Sequence, residues 1–207
     1  WSDSLPASKG PWGQEAWFEG EQGYYFATFG EDFPDLNYEN PAVTEAIYEI
    51  VKFWLTDIGI DGFRLDAAQH LIEEDPNNQV NTDSTHRWYK DFRNYIKGLN
   101  TNALLAGEVW NVDPAILASY TEGDELDLTW EFGIQQKVVD AVHSENSIQI
   151  AAVLEDSLEV MPEYRFITFL SNHDMARIMT ELENNVEKAK SAAFLILTTP
   201  GVPFLYY

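Results

Sequence analysis

Apolar positions along the chain alternate between helical and strand periodicities. Asn40-Pro41 opens the first clear helix. Asn suits an N-cap, Pro suits the first helical position, and Val43, Ile47, Ile50, Val51, Trp54 and Leu55 share one stripe before Gly59 ends it. The stretch Gly59–His70 then reads as a short buried strand, Phe63 and Leu65 alternating with Arg64 and Asp66. Residues 84–99 predict a helix with Trp88, Phe92, Tyr95, Ile96 and Leu99 inward. It leads into the apolar run from Ala103 that reaches Gly107-Glu108-Val109-Trp110. Leu126–Trp130 reads as the next strand, residues 132–160 as helical, and Phe166–Leu170 as a strand that runs into Ser171-Asn172-His173-Asp174. A helix over residues 186–198 and a turn at Thr199-Pro200-Gly201 precede a last strand, Val202–Tyr207. Residues 1–40 are rich in Gly, Pro and aromatics without a helical period, and read as loops and short strands.

Strands alternating with helices predict an α/β fold with a parallel sheet, here part of a (β/α)8 barrel. Such barrels collect their chemistry at the C-terminal ends of their strands. Asp66, Glu108 and the Asn172-His173-Asp174 segment stand at three such ends. Arg64 lies two residues before Asp66, so both side chains share a face of the strand, and the guanidinium can hold the carboxylate ionised and fixed in direction. Taken alone, such a pair is more often a structural ion pair, His173 a satisfied structural histidine and Glu108 a solvated strand-end acid. Three acids at three strand ends, with an arginine and a histidine beside them, make a site.

Charge narrows the partners. The 207 residues carry 12 Lys and Arg against 35 Asp and Glu, a formal net charge of −23. Phosphate recognition needs clustered basic residues, so nucleic acid is excluded as a partner, and anionic membrane surfaces are disfavoured. A neutral substrate is indifferent to this field. Cysteine is absent, which removes disulfides and thiolate metal sites from the chain. No apolar run approaches the roughly 18 residues of a membrane span. The aromatic opening, the missing initiator Met and the strand-like end predict a piece of a longer protein, with residues 1–38 closing a loop-rich inserted domain and 39–207 forming the barrel part.

Gly62-Phe63-Arg64-Leu65-Asp66, Gly107-Glu108-Val109-Trp110 and Leu170-Ser171-Asn172-His173-Asp174 resemble, in their order and spacing, the motifs of the α-amylase family of glycoside hydrolases (family 13). The resemblance runs from Pro34 to Tyr207. It implies strands four to eight of the barrel, preceded by the end of the domain inserted after strand three. It implies Asp66 as nucleophile, Glu108 as acid/base with a raised pKa, and Asp174 as the acid that binds sugar hydroxyls and favours the distorted transition state. Arg64 would orient Asp66, His173 would donate to the same sugar, and His70 and Trp110 would line the substrate path. The family often has Lys where Gln69 stands.

Pro34-Asp35-Leu36-Asn37 resembles the segment that marks oligo-1,6-glucosidase, neopullulanase and intermediary members, although Phe33 replaces their usual Met or Gln. By the same resemblance Asp35 and the backbone carbonyl of His70 would ligate calcium, while a turn-capping Asp35 remains the other reading. Calcium wants about six to eight oxygens, most of which this chain would not supply. No cofactor is required for the chemistry. Ala67, a small residue after the nucleophile position, favours α-1,4 linkages in starch, maltodextrin or maltooligosaccharides over α-1,6 linkages. Secretion is favoured over a cytoplasmic location. Some related barrels serve as non-catalytic binding or transport subunits, but those typically lose catalytic acids that are present here. The 207 residues alone would leave an open barrel with exposed strand edges, expected to have no useful activity.

Overall fold

The computed structural model describes residues 2–161 and 164–206. Two compact units emerge: residues 1–62 with 67–103, and residues 63–66 with 104–207.

In the first unit, β1 (Trp17–Gly20) and β2 (Gly23–Phe26) form an antiparallel hairpin. The loop-rich residues 1–38 group with the helices that follow, and side-chain bonding explains why. Gln79 Nε2 donates to the Lys9 carbonyl at 2.8 Å, and the Trp12 and Phe29 rings pack on His70 at 5.2 and 5.5 Å. Helix α1 (Pro41–Lys52) starts as the sequence predicts, Asn40 Oδ1 accepting from Ala42 N at 3.1 Å. It continues as a π-helical stretch, Phe53–Ile58, that ends on Gly59 at φ 81°. Only part of the expected stripe is inward. Val51 and Leu55 are buried, whereas Ile50 and Trp54, each one residue and so about 100° earlier around the helix, are exposed. Helix α2 (Asp83–Leu99) is capped by Thr82, which accepts from Thr85 N, and buries Tyr89, Phe92 and Ile96. Trp88 stacks on Phe92 at 4.8 Å.

The second unit is built on a five-stranded sheet in the order β3 (Gly62–Leu65), β4 (Leu104–Gly107), β5 (Leu128–Trp130), β6 (Phe166–Thr168), β7 (Val202–Pro203). From β4 to β7 the pairing is parallel, with Gly107 opposite Thr129, Trp130 opposite Ile167, and Thr168 opposite Pro203. This is the barrel segment expected from the alternation of helix and strand. β3 and β7 are the edges. Within this chain no further strand among the described residues pairs with the other side of β3, so Phe63 and Leu65 are half-buried and Arg64 is exposed, a correction to the buried strand expected from their pattern. The strands are shorter than the apolar runs: β6 stops at Thr168 and Phe169–Asp174 is loop, while β7 stops at Pro203. Tyr207 lies outside the described residues.

The long helical pattern breaks in two, α4 (Phe132–Ser144) and α5 (Ile148–Val160), because Glu145 takes a left-handed conformation at φ 54°. Short helices α3 (Pro114–Ser119) and α6 (Ile178–Glu181) add to the expected set, and α7 (Val186–Thr198) is capped by Asn185. A core of Ala106, Trp130, Phe132, Ile167 and Phe169 joins β4, β5 and β6 to the start of α4, with Leu128 and Met175 packed against it.

Gly201 sits at φ 104°, and a Cβ there would approach Phe166 Cε2 to 2.6 Å and the Phe166 carbonyl to 3.0 Å. Phe166 is fully buried and cannot retreat. Gly201→Ala is therefore expected to cost about 1–3 kcal/mol through strain and overpacking, read as a lowered urea midpoint. An unchanged midpoint would refute this packing of β6 against the turn into β7.

Candidate active site

Parallel pairing aligns the C-terminal ends of the strands, so the residues just beyond them become neighbours. Glu108 N donates to the Leu65 carbonyl at 2.8 Å, which sets Glu108 beside the end of β3, where Asp66 follows. Arg64 connects the two acids. Its Nη1 lies 2.5 Å from Asp66 Oδ1 and its Nη2 lies 2.8 Å from Glu108 Oε2. The sequence pattern predicts the first arm; the second appears only once β3 and β4 are side by side. The two acids differ in surroundings, the Asp66 side chain being 71 % exposed and that of Glu108 only 8 %.

The segment after β6 supplies the third group. Asn172 is buried, and its Oδ1 accepts from Asp174 N at 2.9 Å, closing the turn that presents His173 and Asp174. Its Nδ2 reaches towards Glu108 Oε1 at 3.5 Å. His173 Nε2 lies 3.2 Å from Asp174 Oδ2, and both side chains are about half exposed. Gln135 Nε2 donates to the Leu170 carbonyl at 2.9 Å and ties this loop to α4. Trp110 is half exposed and stacks at 4.7 Å on the buried Phe132, which leaves an aromatic face towards solvent. The structure thus brings together Arg64, Asp66 and Glu108, and Asn172 connects Glu108 to the turn that carries His173 and Asp174. Asn172 is a site residue whose function the sequence reading passed over, although it stands inside the motif at a strand end.

Ala67, next after Asp66, has φ 44° and ψ 41°. A left-handed conformation costs an alanine about 1–2 kcal/mol, and here it turns the chain sharply out of β3. The remaining expected residues belong to the first unit. His70 has its pKa lowered to about 4 by burial, so it is neutral at pH 7, and its ring is boxed by Trp12 and Phe29. Asp35 Oδ2 accepts from Thr28 N at 3.1 Å and from Thr28 Oγ1 at 2.8 Å. That is the turn-bonding role that competes with calcium ligation. Burial also raises its pKa, against the two Thr28 bonds. Among the described residues, no group of three or more His, Asp or Glu side chains could hold a metal ion. With Asp35 engaged by Thr28 and calcium wanting about six to eight oxygens, the residues present do not by themselves fit the ion.

A further acid follows β5. Glu131 is fully buried, caps α4 by accepting from Ile134 N, and takes a long bond from Ser157 Oγ at 3.4 Å. Burial pushes its pKa up to about 7, against those two bonds.

Two carboxyl groups are clamped on one arginine at the ends of β3 and β4, and a third acid follows β6 on the same side of the sheet, the side where parallel barrels carry their chemistry. The family model "Alpha amylase, catalytic domain" matches residues 4–207. The chain belongs to this α-amylase family. It is 35 % identical over 211 residues to alpha-amylase 3 of Dictyoglomus thermophilum, covering 100 % of this chain and 39 % of that protein. It is 31 % identical over 220 residues to a trehalose synthase/amylase of Mycolicibacterium smegmatis, covering 89 % and 37 % respectively. A crystal structure of the alpha-amylase from H. orenii superposes with a TM-score of 0.83 at 30 % identity, covering 98 % of this chain and 42 % of that one. The chain thus spans about two fifths of the length of these relatives.

The raised pKa of Glu131 has a consequence for stability. Between its ordinary 4.5 and about 7, the folded state holds a proton that the unfolded state releases. Folding stability from this group is therefore complete below pH 4.5, declines as pH rises through about 7, and is flat above. The decline amounts to about 3 kcal/mol at roughly 1.4 kcal/mol per pH unit. Glu131→Gln is expected to flatten the urea midpoint between pH 4.5 and 7, apart from a like-signed slope from Glu73, also raised to about 7 by burial. An unaltered slope in the variant would contradict the burial of this acid.

Proposed function

We propose that the protein is a retaining glycoside hydrolase that cleaves α-1,4-glucosidic bonds in starch, maltodextrin or maltooligosaccharides. The observation that carries this reading is the Arg64 clamp on Asp66 and Glu108. A single guanidinium holds two carboxyls only if they are close, consistent with the separation of about 5–5.5 Å used for retention. In the first step the Asp66 carboxylate attacks the anomeric carbon while the glycosidic C–O bond breaks, and Glu108 gives its proton to the leaving oxygen. The product is a glycosyl ester on Asp66. In the second step Glu108, now a carboxylate, takes a proton from water as the water oxygen attacks the same carbon. The ester bond breaks, Asp66 regains its charge, and Glu108 its proton. Asp174 and His173 bind hydroxyls of the reacting sugar, and the exposed face of Trp110 stacks on a neighbouring ring.

Glu108 must be an acid in one step and a base in the other. Exclusion from water favours its neutral form, whereas Arg64 at 2.8 Å favours its carboxylate, so its surroundings support both states. Calcium enters no step. The small residue Ala67 favours α-1,4 over α-1,6 specificity. A second reading, transfer of the glucosyl group to a sugar acceptor instead of water, is supported by the 31 % identity to a trehalose synthase/amylase. It uses the same residues and differs only in what meets the ester.

The test is product analysis with a full-length protein that contains this chain, given maltoheptaose and isomaltotriose separately. The expected outcome is maltose and short maltooligosaccharides from the first substrate only. Asp66→Asn and Glu108→Gln should each lower kcat by at least about 10³-fold. Glucose from isomaltotriose would overturn the linkage assignment, and turnover that survives both substitutions would overturn the site.

A further inference from the structure

We propose that Trp130 is the positioning residue for the guanidinium of Arg64, acting through a cation–π contact beneath the shared clamp. The proposal rests on the function assigned to Arg64, Asp66 and Glu108 above, and adds to it the element that keeps the arginine in place.

Arg64 has a side chain 35 % exposed, and its Asp66 arm ends on a carboxylate that is itself mostly exposed, where ion pairs restrain long side chains weakly. The Glu108 arm holds the other Nη on a buried carboxyl, which leaves the plane of the guanidinium to be fixed by something else. The support comes from below. Arg64 Cζ stands 5.7 Å from the centroid of the Trp130 ring, within the reach of a cation–π contact. Unlike the arginine, Trp130 is fixed. It is 6 % exposed, it ends β5, and it belongs to the core formed with Ala106, Phe132, Ile167 and Phe169. Phe204 meets it edge-on at 5.7 Å and 77°. A buried indole locked by this packing offers the negative face of its quadrupole to a cation that must stay put. The two Nη groups are then free to hold one carboxylate each.

Tryptophan gives the strongest such contact among the aromatic side chains. An aliphatic residue at position 130 would fill the core without it. Weakened support lets Arg64 leave the acids. Buried Glu108 then loses its counter-charge and becomes harder to ionise. The limb of the pH–rate profile that reports the acid should therefore move to higher pH, a change that a purely structural role would not produce.

The test replaces Trp130 by tryptophans of increasing ring fluorination, introduced at that position alone in the full-length protein. Fluorination removes the ring quadrupole while nearly preserving shape, so packing is kept. Expected is a graded fall in kcat/KM on maltoheptaose, about tenfold from unsubstituted to fully fluorinated ring, or about 1.4 kcal/mol. The acid limb should rise with it, and Trp130→Phe should fall between the extremes. Equal kcat/KM and a fixed acid limb across the series would overturn the proposal. So would a Trp130→Leu variant that loses melting temperature and nothing else. NMR of the Arg64 guanidinium supplies a readout independent of turnover. Rotation about its Nε–Cζ bond should quicken with fluorination, and a rotation rate indifferent to the ring would count against the contact even if the parent proved inactive. Wild-type inactivity on maltoheptaose would instead sink the assigned function and leave the NMR arm to decide on Trp130.

Discussion

Everything at this site depends on one arginine divided between two acids. The two arms of Arg64 are unequal in energy. The one to Asp66 lies mostly in water, where ion pairs contribute about 0–1 kcal/mol, so its value is orientation. The one to Glu108 reaches a carboxyl that is 8 % exposed. Removing the arginine would leave that group buried without its counter-charge, a loss on the order of 3–5 kcal/mol. The clamp thus costs most to break at the buried Glu108 and least at the exposed Asp66.

The sheet makes the clamp possible. Parallel pairing from β4 to β7 aligns the strand ends, and the bond from Glu108 N to the Leu65 carbonyl places one acid alongside the other. The turn closed by Asn172 then fixes where Asp174 emerges. Beneath them the aromatic core of Trp130, Phe132 and Phe169 provides a floor that does not yield, with Phe132 also carrying the half-exposed Trp110. Strained backbone appears where the chain must leave β3 at once, at Ala67. Local cost is concentrated at the place where direction matters most.

Much of this was legible in the sequence for physical reasons. Period-two alternation put Arg64 and Asp66 on one face, and Asn40-Pro41 announced a helix start that the side-chain cap bears out. What period alone could not show was everything set by pairing. The buried strand expected around Phe63 and Leu65 is an edge, a matter of strand order. The continuous helix expected over residues 132–160 is broken by Glu145, whose left-handed conformation no apolar pattern signals. Ile50 and Trp54 are exposed beside the buried Val51 and Leu55, a choice of helix face that an apolar stripe alone does not make. The Arg64 to Glu108 contact, the reach of Asn172 to Glu108 and the place of Trp130 under Arg64 join residues distant in sequence. Trp130 was nonetheless within reach of the rule that found the acids, since it too stands at the C-terminal end of a strand.

The most direct test of the central claim, that the clamp holds Asp66 ready to form a covalent glycosyl ester, is to trap that ester. The full-length protein would be incubated with a 5-fluoro-α-glucosyl fluoride, digested at low pH, and its peptides analysed by mass spectrometry. The account predicts one glycosylated peptide, the one containing Asp66, absent in Asp66→Asn and greatly reduced in Arg64→Met. A label on another residue, or turnover of natural substrate with inversion at the anomeric carbon, would contradict it.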